Sequence, residues 1–281
     1  TGGFGAEYGG RVSSVLTVET RNAATDGVEV AGGVSLLATR LLVRSAIPAS
    51  WTRAVGVENG SWLLSARRSY FDQILRPFTD FPYHLTDFQG HARVGLRGGG
   101  NLSLTAYGGA DALDLTDFDL PEEDSTQVLR VRWTWGNRLV GLRWVQPFGA
   151  EWTSDARIGY SRFGNQLRFV DFDGTEFTSR IAQRSAHLDL SRPIRDSGAV
   201  KIGAALEALS YDNHAQAGGT PFLASADEGM LGSAYASLRM EPVYRPRSAD
   251  HWPLPPAACM MDVWSMHDNT RRLISGLLNG G

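Results

Sequence analysis

Residues 85–97 read LTDFQGHARVGLR, and their side chains alternate between two chemical kinds. The even positions from Phe88 to Leu96 are apolar or small, whereas most odd positions, including Arg93 and Arg97, are polar or charged. Successive side chains of a β-strand point to opposite faces of its sheet. The period of two therefore predicts a strand with one apolar and one polar face.

The same period dominates the chain from residue 28 to about residue 244. It predicts ten strands, over residues 28–36, 39–47, 61–72, 84–97, 101–110, 138–148, 151–163, 177–192, 199–211 and 229–244. Many of these strands are longer than the roughly five or six residues typical of globular proteins. Residues 128–135 alternate as well, and they form either an extension of the following strand or part of a loop hairpin.

The predicted connections alternate between short and long. Short, turn-rich links cover residues 57–60, 98–101, 147–151 and 195–198, and the longer links cover residues 72–83, 110–126, 164–176 and 211–228. Transmembrane β-barrels have short turns at one end and longer loops at the other, with aromatic residues near both interfaces. The pattern, together with aromatic residues near several strand ends, predicts an all-β fold of the antiparallel transmembrane β-barrel type.

Composition excludes several other classes of protein. Among the 281 residues there is a single cysteine, Cys259, so a scaffold held by disulfides is excluded. No stretch approaches the roughly 18 to 20 apolar residues of a membrane helix. The formal net charge is −3, whereas a nucleic-acid-binding surface typically has a surplus of basic residues. A membrane barrel passes the same tests, because its strands are about 9 to 11 residues long and half polar.

The N-terminal segment has a character of its own. Residues 1–21 read TGGFGAEYGGRVSSVLTVETR, a glycine-rich turn followed by a short apolar strand. This segment resembles the end of the plug domain of TonB-dependent outer-membrane receptors, with matches at Ala6, Glu7, Tyr8, Gly9, Gly10, Arg11, Ser14, Val15, Val18, Thr20 and Arg21. Residues 60–72, 81–89, 101–111 and 137–144 are similar to the first barrel strands of that family, in the same order.

The resemblance implies a division of the chain into three parts. Residues 1–26 correspond to the end of a plug domain, with Glu7, Tyr8, Gly9, Gly10 and Arg11 at the plug–barrel junction, and residues 27–246 correspond to a partial barrel. Such receptors carry about 22 strands, so about ten strands are expected to be a fragment. The tail, residues 247–281, loses the period of two. We expect it to be frameshifted or disordered, or to be a divergent C-terminal helix over residues 270–278.

Polar residues of the strands are the candidate site. In a barrel, the non-apolar strand positions line a wet lumen and contact the plug, and the members expected here are Arg93, Arg97, Arg143, Arg157, His187, Asp189, Lys201 and Glu207. No catalytic residue, cofactor or metal is predicted, because the six histidines are scattered. Acidic clusters at residues 111–124 and 171–176 contain oxygen ligands suited to calcium, but a solvated loop and a turn are the preferred interpretations.

The resemblance also implies a function without catalysis. Such receptors capture a scarce solute, a siderophore, a carbohydrate or a similar molecule, and import it across the bacterial outer membrane. The partners implied are outer-membrane lipid, the solute itself and a TonB-type energy-transducing protein that contacts the missing plug region. The alternatives are a passive porin-like or adhesive barrel and a soluble β-sandwich binding protein.

Overall fold

The computed structural model describes residues 6–8, 20, 27–74, 82–116, 130–149, 151–194 and 198–240, together with the backbone of residues 259–268. These residues form an all-β fold, as predicted. One sheet contains eleven antiparallel strands in chain order. They are β1 (Glu29–Val34), β2 (Ala38–Ala46), β3 (Asn59–Ser69), β4 (Tyr83–Gly95), β5 (Asn101–Asp114), β6 (Val131–Phe148), β7 (Trp152–Phe169), β8 (Glu176–Ile194), β9 (Gly198–Ala217), β10 (Thr220–Met240) and β11 (Cys259–Asp268).

Helical structure in the described residues is limited to three short pieces. A single 3-10 turn covers Ala6–Tyr8, α1 covers Ala49–Ala54 and α2 covers Phe71–Ile74. Because α1 follows Pro48, whose fixed φ suits the residue before a helix, it forms inside the link between β2 and β3. The first and last strands do not pair with each other within the described part of the chain, so the sheet is open, as in a partial barrel.

The register of the strands separates the two kinds of side chain. Leu64, Gly90, Ala106, Val140 and Tyr160 lie side by side across β3 to β7. We call the face that carries this row the apolar face and the opposite one the polar face. Residues one position along each strand belong to the polar face, because side chains alternate.

Burial on the two faces is the reverse of that in a globular protein. Large apolar side chains remain uncovered on the apolar face: Phe88 is 61% exposed, Ile158 57% and Leu206 50%. On the polar face, by contrast, Asp189 is only 3% exposed. Among the described residues, Ala215 is the one buried hydrophobic residue. No second layer in that part of the chain covers the apolar face, so the sheet is a single layer rather than half of a sandwich, and we call this sheet the wall.

Three connections differ from the predictions. The short link expected over residues 57–60 is wrong, because the connection between β2 and β3 covers residues 47–58 and contains α1. The long link expected over residues 211–228 is wrong, because β9 and β10 continue through it and meet at a two-residue turn, Gly218 and Gly219. The link expected over residues 164–176 shrinks to residues 170–175 because β7 and β8 extend into it. The apolar residues of these extensions, such as Ala215, Phe222 and Leu223, do not alternate regularly with polar ones, so the period of two does not mark the extensions in the sequence. The alternating residues 128–135 belong to β6 from Val131 onward.

The structure describes only parts of the first and third segments of the predicted three-part division. Strand β11 lies inside the tail and pairs with β10. The expected helix over residues 270–278 lies outside the described residues, and the frameshift stays a prediction. Of the predicted plug end, Ala6–Tyr8 and Thr20 are described. Gly9, Gly10 and Arg11 lie outside the described residues.

Candidate functional site

The site is built on the polar face of four long neighbouring strands, β6 to β9. Arg143 of β6 pairs in register with Arg157 of β7, which pairs with His187 of β8. Asp155 and Asp189 form the adjacent pair between β7 and β8. Side chains directly opposite each other in an antiparallel ladder lie close enough to interact. The register therefore gathers predicted lumen residues that are far apart in the sequence.

Asp189 is the centre of this cluster. Its side chain is almost fully covered, and a buried carboxylate must find partners to offset the loss of hydration. Arg157 donates to Asp189 Oδ2, and the hydroxyl of Tyr235 donates to Asp189 Oδ1. Lys201 Nζ lies 3.5 Å from Asp189 Oδ2. Two cations and one hydroxyl therefore hold a single anion.

Lys201 joins the wall to the N-terminal segment. Its ammonium group contacts the carboxylate of Glu7, which lies on the 3-10 turn Ala6–Tyr8. The same ammonium lies 5.9 Å from the centre of the Tyr235 ring, within the range of a cation–π interaction. Glu7 and Lys201 were predicted as members of two separate groups, the plug–barrel junction and the lumen lining. The structure brings them together.

A second contact ties the same segment to the wall at β4. The side-chain amide of Gln89 donates to the hydroxyl of Thr20 at 2.8 Å. Gln89 shares the polar face with Ser65 and Tyr107, its register partners on β3 and β5. The N-terminal segment therefore contacts the polar face through Glu7 at β9 and through Thr20 at β4.

The ion-pair network continues away from Lys201 with alternating sign. Arg143 binds Asp155 through two nitrogens, Nε at 3.0 Å and Nη2 at 2.8 Å. Arg157 Nε lies 3.7 Å from the same carboxylate. Across the wall the charges therefore run from Arg143 to Asp155, Arg157, Asp189, Lys201 and Glu7, so positive and negative groups alternate. The three positive and three negative charges of this row balance, and Lys201 positions Glu7 at its end.

His187 and Glu207 form a smaller group beside this row. The His187 Nε2 atom lies 3.9 Å from Glu207 Oε1, and the amide of Gln183 donates to Glu207 Oε2 at 3.2 Å. Arg93 lies on the polar face of β4 opposite Ser61 and Ser103, away from the network. Arg97 follows the end of β4 and lies in the exposed turn before β5, outside the strand predicted for it.

Tyr235 and Gly203 are site residues that the sequence reasoning missed. Tyr235 lies directly opposite Gly203, and Gly203 lies opposite Asp189. The period of two could have placed Tyr235 on the polar face, because it lies four residues before Arg239, a non-apolar position of the same strand. A tyrosine was not distinguished from the interfacial aromatics, because its hydroxyl partner is on a distant strand.

Four described acids of the two candidate calcium clusters, Asp111, Asp114, Asp171 and Glu176, have protein partners for their carboxylates. Asp111 accepts a hydrogen bond from the Tyr83 hydroxyl at 2.6 Å, and Asp114 accepts one from Arg132 at 2.7 Å. In the other cluster, Arg130 donates to Asp171 from its side chain at 2.7 Å and from its backbone at 3.0 Å. These bonds hold the pKa of Asp171 below its usual value. The remaining members of the first cluster, over residues 117–124, lie outside the described residues.

The described residues contain neither a metal site nor a membrane-spanning helix. Within the described ranges, no group of three or more histidine, cysteine, aspartate or glutamate side chains is placed to hold a metal ion. No helix in the same ranges is long and apolar enough to cross a membrane. No family model, curated protein or solved structure matches the chain.

Proposed function

We propose that this chain forms part of an outer-membrane β-barrel of the TonB-dependent receptor type. In this proposal the apolar face contacts lipid, the polar face lines the lumen and the N-terminal segment is the end of a plug. The protein imports a scarce solute, such as a siderophore or a carbohydrate. An inner-membrane complex energises the import through a TonB-type protein, and no bond in the solute is made or broken.

The contact between Glu7 and Lys201 is the observation that carries the proposal. It attaches the N-terminal segment to the polar face, where a plug would lie. A passive pore needs a clear lumen, and a segment held against its wall would narrow it. The second contact, between Thr20 and Gln89, is on the same face and supports the same interpretation.

The exposed apolar face supports the membrane part of the proposal. Lipid-facing and lumen-facing residues alternate along the strands of a membrane barrel. Here Ile202 and Leu206 are 40% and 50% exposed, while the intervening polar-face positions of β9 are more covered. A bilayer would remove these apolar side chains from water, at a gain of about 25 cal/mol per Å².

The first experiment locates the protein. The intact gene is expressed in a Gram-negative host, and the outer membrane is separated from the inner membrane and the soluble fraction. We expect the protein in the outer membrane, with an electrophoretic mobility that changes on boiling. Recovery in the soluble fraction without detergent would refute the membrane placement.

The second experiment tests the plug. Glu7→Lys places two cations together at Lys201, so the N-terminal segment should leave the wall. We expect cells that produce this variant to become sensitive to vancomycin, which an intact outer membrane excludes. Glu29→Lys is the matched control, because it breaks the pair between Glu29 and Arg44 on β1 and β2 and leaves Glu7 unchanged. Equal sensitivity of both variants would contradict a plug held by Glu7.

The third experiment distinguishes active import from a passive pore. Uptake of ferric siderophores and of labelled oligosaccharides is compared in cells with and without the gene. A protonophore should stop the gene-dependent uptake if the proton gradient energises it. Uptake that is unaffected by the protonophore would favour the porin-like alternative.

A further inference from the structure

The apolar face changes character at one end of the sheet. Beyond Val140 of β6 and Tyr160 of β7, the next side chains on this face are Arg138 and Arg162, which lie directly opposite each other. Arg180 of β8 follows on the same face, opposite Gly164. Beside β7 the band of apolar side chains ends at a group of three arginines, and a fourth, Arg184, lies on the same face opposite Tyr160.

The three arginines line a groove of about 460 Å³. Its floor is formed by Gly136 and Gly164, which pair across β6 and β7 and have no side chains to fill it. A Cβ added to Gly164 would meet no atom within 4 Å. We call this the arginine groove, defined by Arg138, Arg162, Arg180, Gly136 and Gly164.

The arginine groove carries a positive surplus. Arg138 and Arg162 are exposed, and within the ranges that the structure describes neither has a carboxylate as an ion-pair partner. Arg180 has a long, exposed pair with Asp212 at 3.7 Å. Glu176, an acid of the same face that lines the groove, accepts hydrogen bonds from Gln166 at 2.9 Å and from Thr178 at 3.2 Å.

An apolar groove of about 670 Å³ adjoins the arginine groove, and Arg138 lines both. Its apolar walls include Leu41, Val43, Leu64, Phe88 and Ala106. Gly108 lies between Phe88 and Arg138 in one row of the register. A Cβ on Gly108 would also meet no atom within 4 Å, so the passage from the apolar walls to Arg138 is open.

We propose that the two grooves together bind one phosphorylated lipid of the outer leaflet. An acyl chain lies along the apolar groove, and the phosphate accepts hydrogen bonds from Arg138, Arg162 and Arg180. Guanidinium groups suit this task because their forked donors match the oxygens of a phosphate. The inference rests on the proposed placement of this face against a membrane.

The continuity of the two grooves favours a lipid over a free anion. Inorganic phosphate would occupy the arginine groove alone and would leave the apolar groove empty. A lipid uses both, since its charged group and its chain are joined at the point where Arg138 lies. Substitutions in the apolar groove should therefore weaken binding although they touch no charge.

The experiment measures the lipid that remains bound to the full-length protein. The protein is purified from outer membranes in an uncharged detergent, and phosphorylated lipid is extracted and counted per protein by mass spectrometry. The double variant Arg138→Gln/Arg162→Gln removes charge, and Gly108→Leu fills the apolar groove. The controls are Arg192→Gln, which removes an exposed arginine paired with Glu151, and Gly232→Leu, at another open glycine on β10.

We expect both groove variants to retain at least about tenfold less lipid than the wild type. In the arginine variant each lost charged hydrogen bond weakens binding by roughly that factor, and in Gly108→Leu the added side chain occupies the place of the acyl chain. Both controls should retain the wild-type amount. Equal retention in all variants overturns the inference. So does loss in the arginine variant alone combined with displacement of the lipid by inorganic phosphate, which would indicate an anion site.

The location of the wild type separates this inference from the proposed function. A wild-type protein in the outer membrane that carries no phosphorylated lipid overturns the lipid site alone. A wild-type protein absent from the outer membrane overturns the proposed function, and the lipid site with it.

Discussion

Gly203 and Tyr235 lie directly opposite each other on β9 and β10, and the ring of Tyr235 occupies the space that a side chain at position 203 would fill. A Cβ built on Gly203 would lie 2.6 Å from two ring carbons of Tyr235, and closer still to Asp189 Oδ1. The missing side chain is thus what allows the tyrosine hydroxyl to reach the buried carboxylate.

Gly203→Ala should therefore destabilise the wall. The added methyl group must push Tyr235 away from Asp189, and overpacking of this kind costs about 1–3 kcal/mol. The free energy of unfolding by urea, measured on protein in lipid vesicles, tests the expectation. Gly232→Ala is the control, because a Cβ at that position meets no atom within 4 Å. Equal stability of the two variants would show that Tyr235 does not need the space at Gly203.

Asp189→Asn should be costly although it hardly changes size. The amide keeps the volume of the side chain but withdraws the negative charge that faces Arg157 and Lys201, so both cations lose their buried partner. We expect a loss of about 1–3 kcal/mol in the free energy of unfolding.

The comparison variant is Asp212→Asn. Asp212 is half-exposed and lies 3.7 Å from an equally exposed Arg180, so this substitution should cost less than about 1 kcal/mol. If the two substitutions cost the same, the burial of Asp189 has no energetic consequence. Both variants are measured in the same vesicles, so the difference between them does not depend on the lipid.

Much of the fold could be predicted because alternation encodes both strand and face. The ten predicted strands are all present, and the apolar face runs in register from Leu64 through Gly90 to Tyr160. The extensions of β9 and β10 could not be predicted, because their apolar residues, among them Ala215, Phe222 and Leu223, do not alternate regularly with polar ones. Backbone pairing nevertheless continues through these extensions to the turn at Gly218 and Gly219.

The sequence predicted which residues belong to the candidate site, but not which of them contact one another. Lys201, Asp189 and Arg157 could be assigned to the polar face from parity alone. Their partnership depends on how far each strand is shifted against the next, which turn geometry sets. The approach of Glu7 to Lys201 depends on the path of the N-terminal segment, and no local pattern encodes that path.

The turn between β9 and β10 should respond unequally to substitution at its two glycines. Gly218 and Gly219 both have positive φ, at 56° and 78°, as in the tight turns favoured by hairpins. Asparagine tolerates this conformation better than other residues with a side chain. A Cβ on Gly219 meets nothing within 4 Å, whereas one on Gly218 would lie 3.1 Å from Asp173 Cγ.

Gly219→Asn should therefore leave the hairpin intact, and Gly218→Asn should open it. Opening breaks the hydrogen bond from the Gly218 N–H to the Asp173 carbonyl, which is 2.7 Å long. Limited proteolysis of intact cells reports the result as cleavage near this turn. Cleavage of both variants at the same rate would contradict the role of Asp173.

Asp171 should remain ionised at a lower pH than an ordinary aspartate. The Arg130 side chain and the Arg130 backbone N–H both donate hydrogen bonds to the Asp171 carboxylate, and the side-chain bond has the larger effect. Both bonds favour the charged form, so the pKa of Asp171 falls below 3.8. A carboxyl group whose pKa is lower in the folded state than in the unfolded state stabilises the fold at pH values above its unfolded-state pKa. That stability is lost as the pH falls through the folded pKa.

Arg130→Gln should raise the pKa of Asp171 towards 3.8, although the backbone bond remains. Side-chain carbon shifts of labelled aspartate, followed by NMR from about pH 6 to pH 2, would measure the change. An unchanged pKa in the variant would mean that the guanidinium does not reach Asp171 in solution.

A polypeptide of these 281 residues should aggregate in buffer without detergent. Two features act together. The apolar face leaves side chains such as Phe88 and Met230 more than half exposed, and the open sheet ends at strands whose outer edges have unpaired backbone groups in the described residues. Unprotected edges pair with other copies of the same chain.

Detergent should cover the apolar face but leave the edges unpaired. We therefore expect mild detergent to reduce the aggregates without yielding a single species, which light scattering coupled to size-exclusion chromatography would detect. A monodisperse, protease-resistant monomer in plain buffer would contradict the expectation. It would require a second layer over Phe88 and its neighbours, and the membrane placement of the apolar face would fail with it.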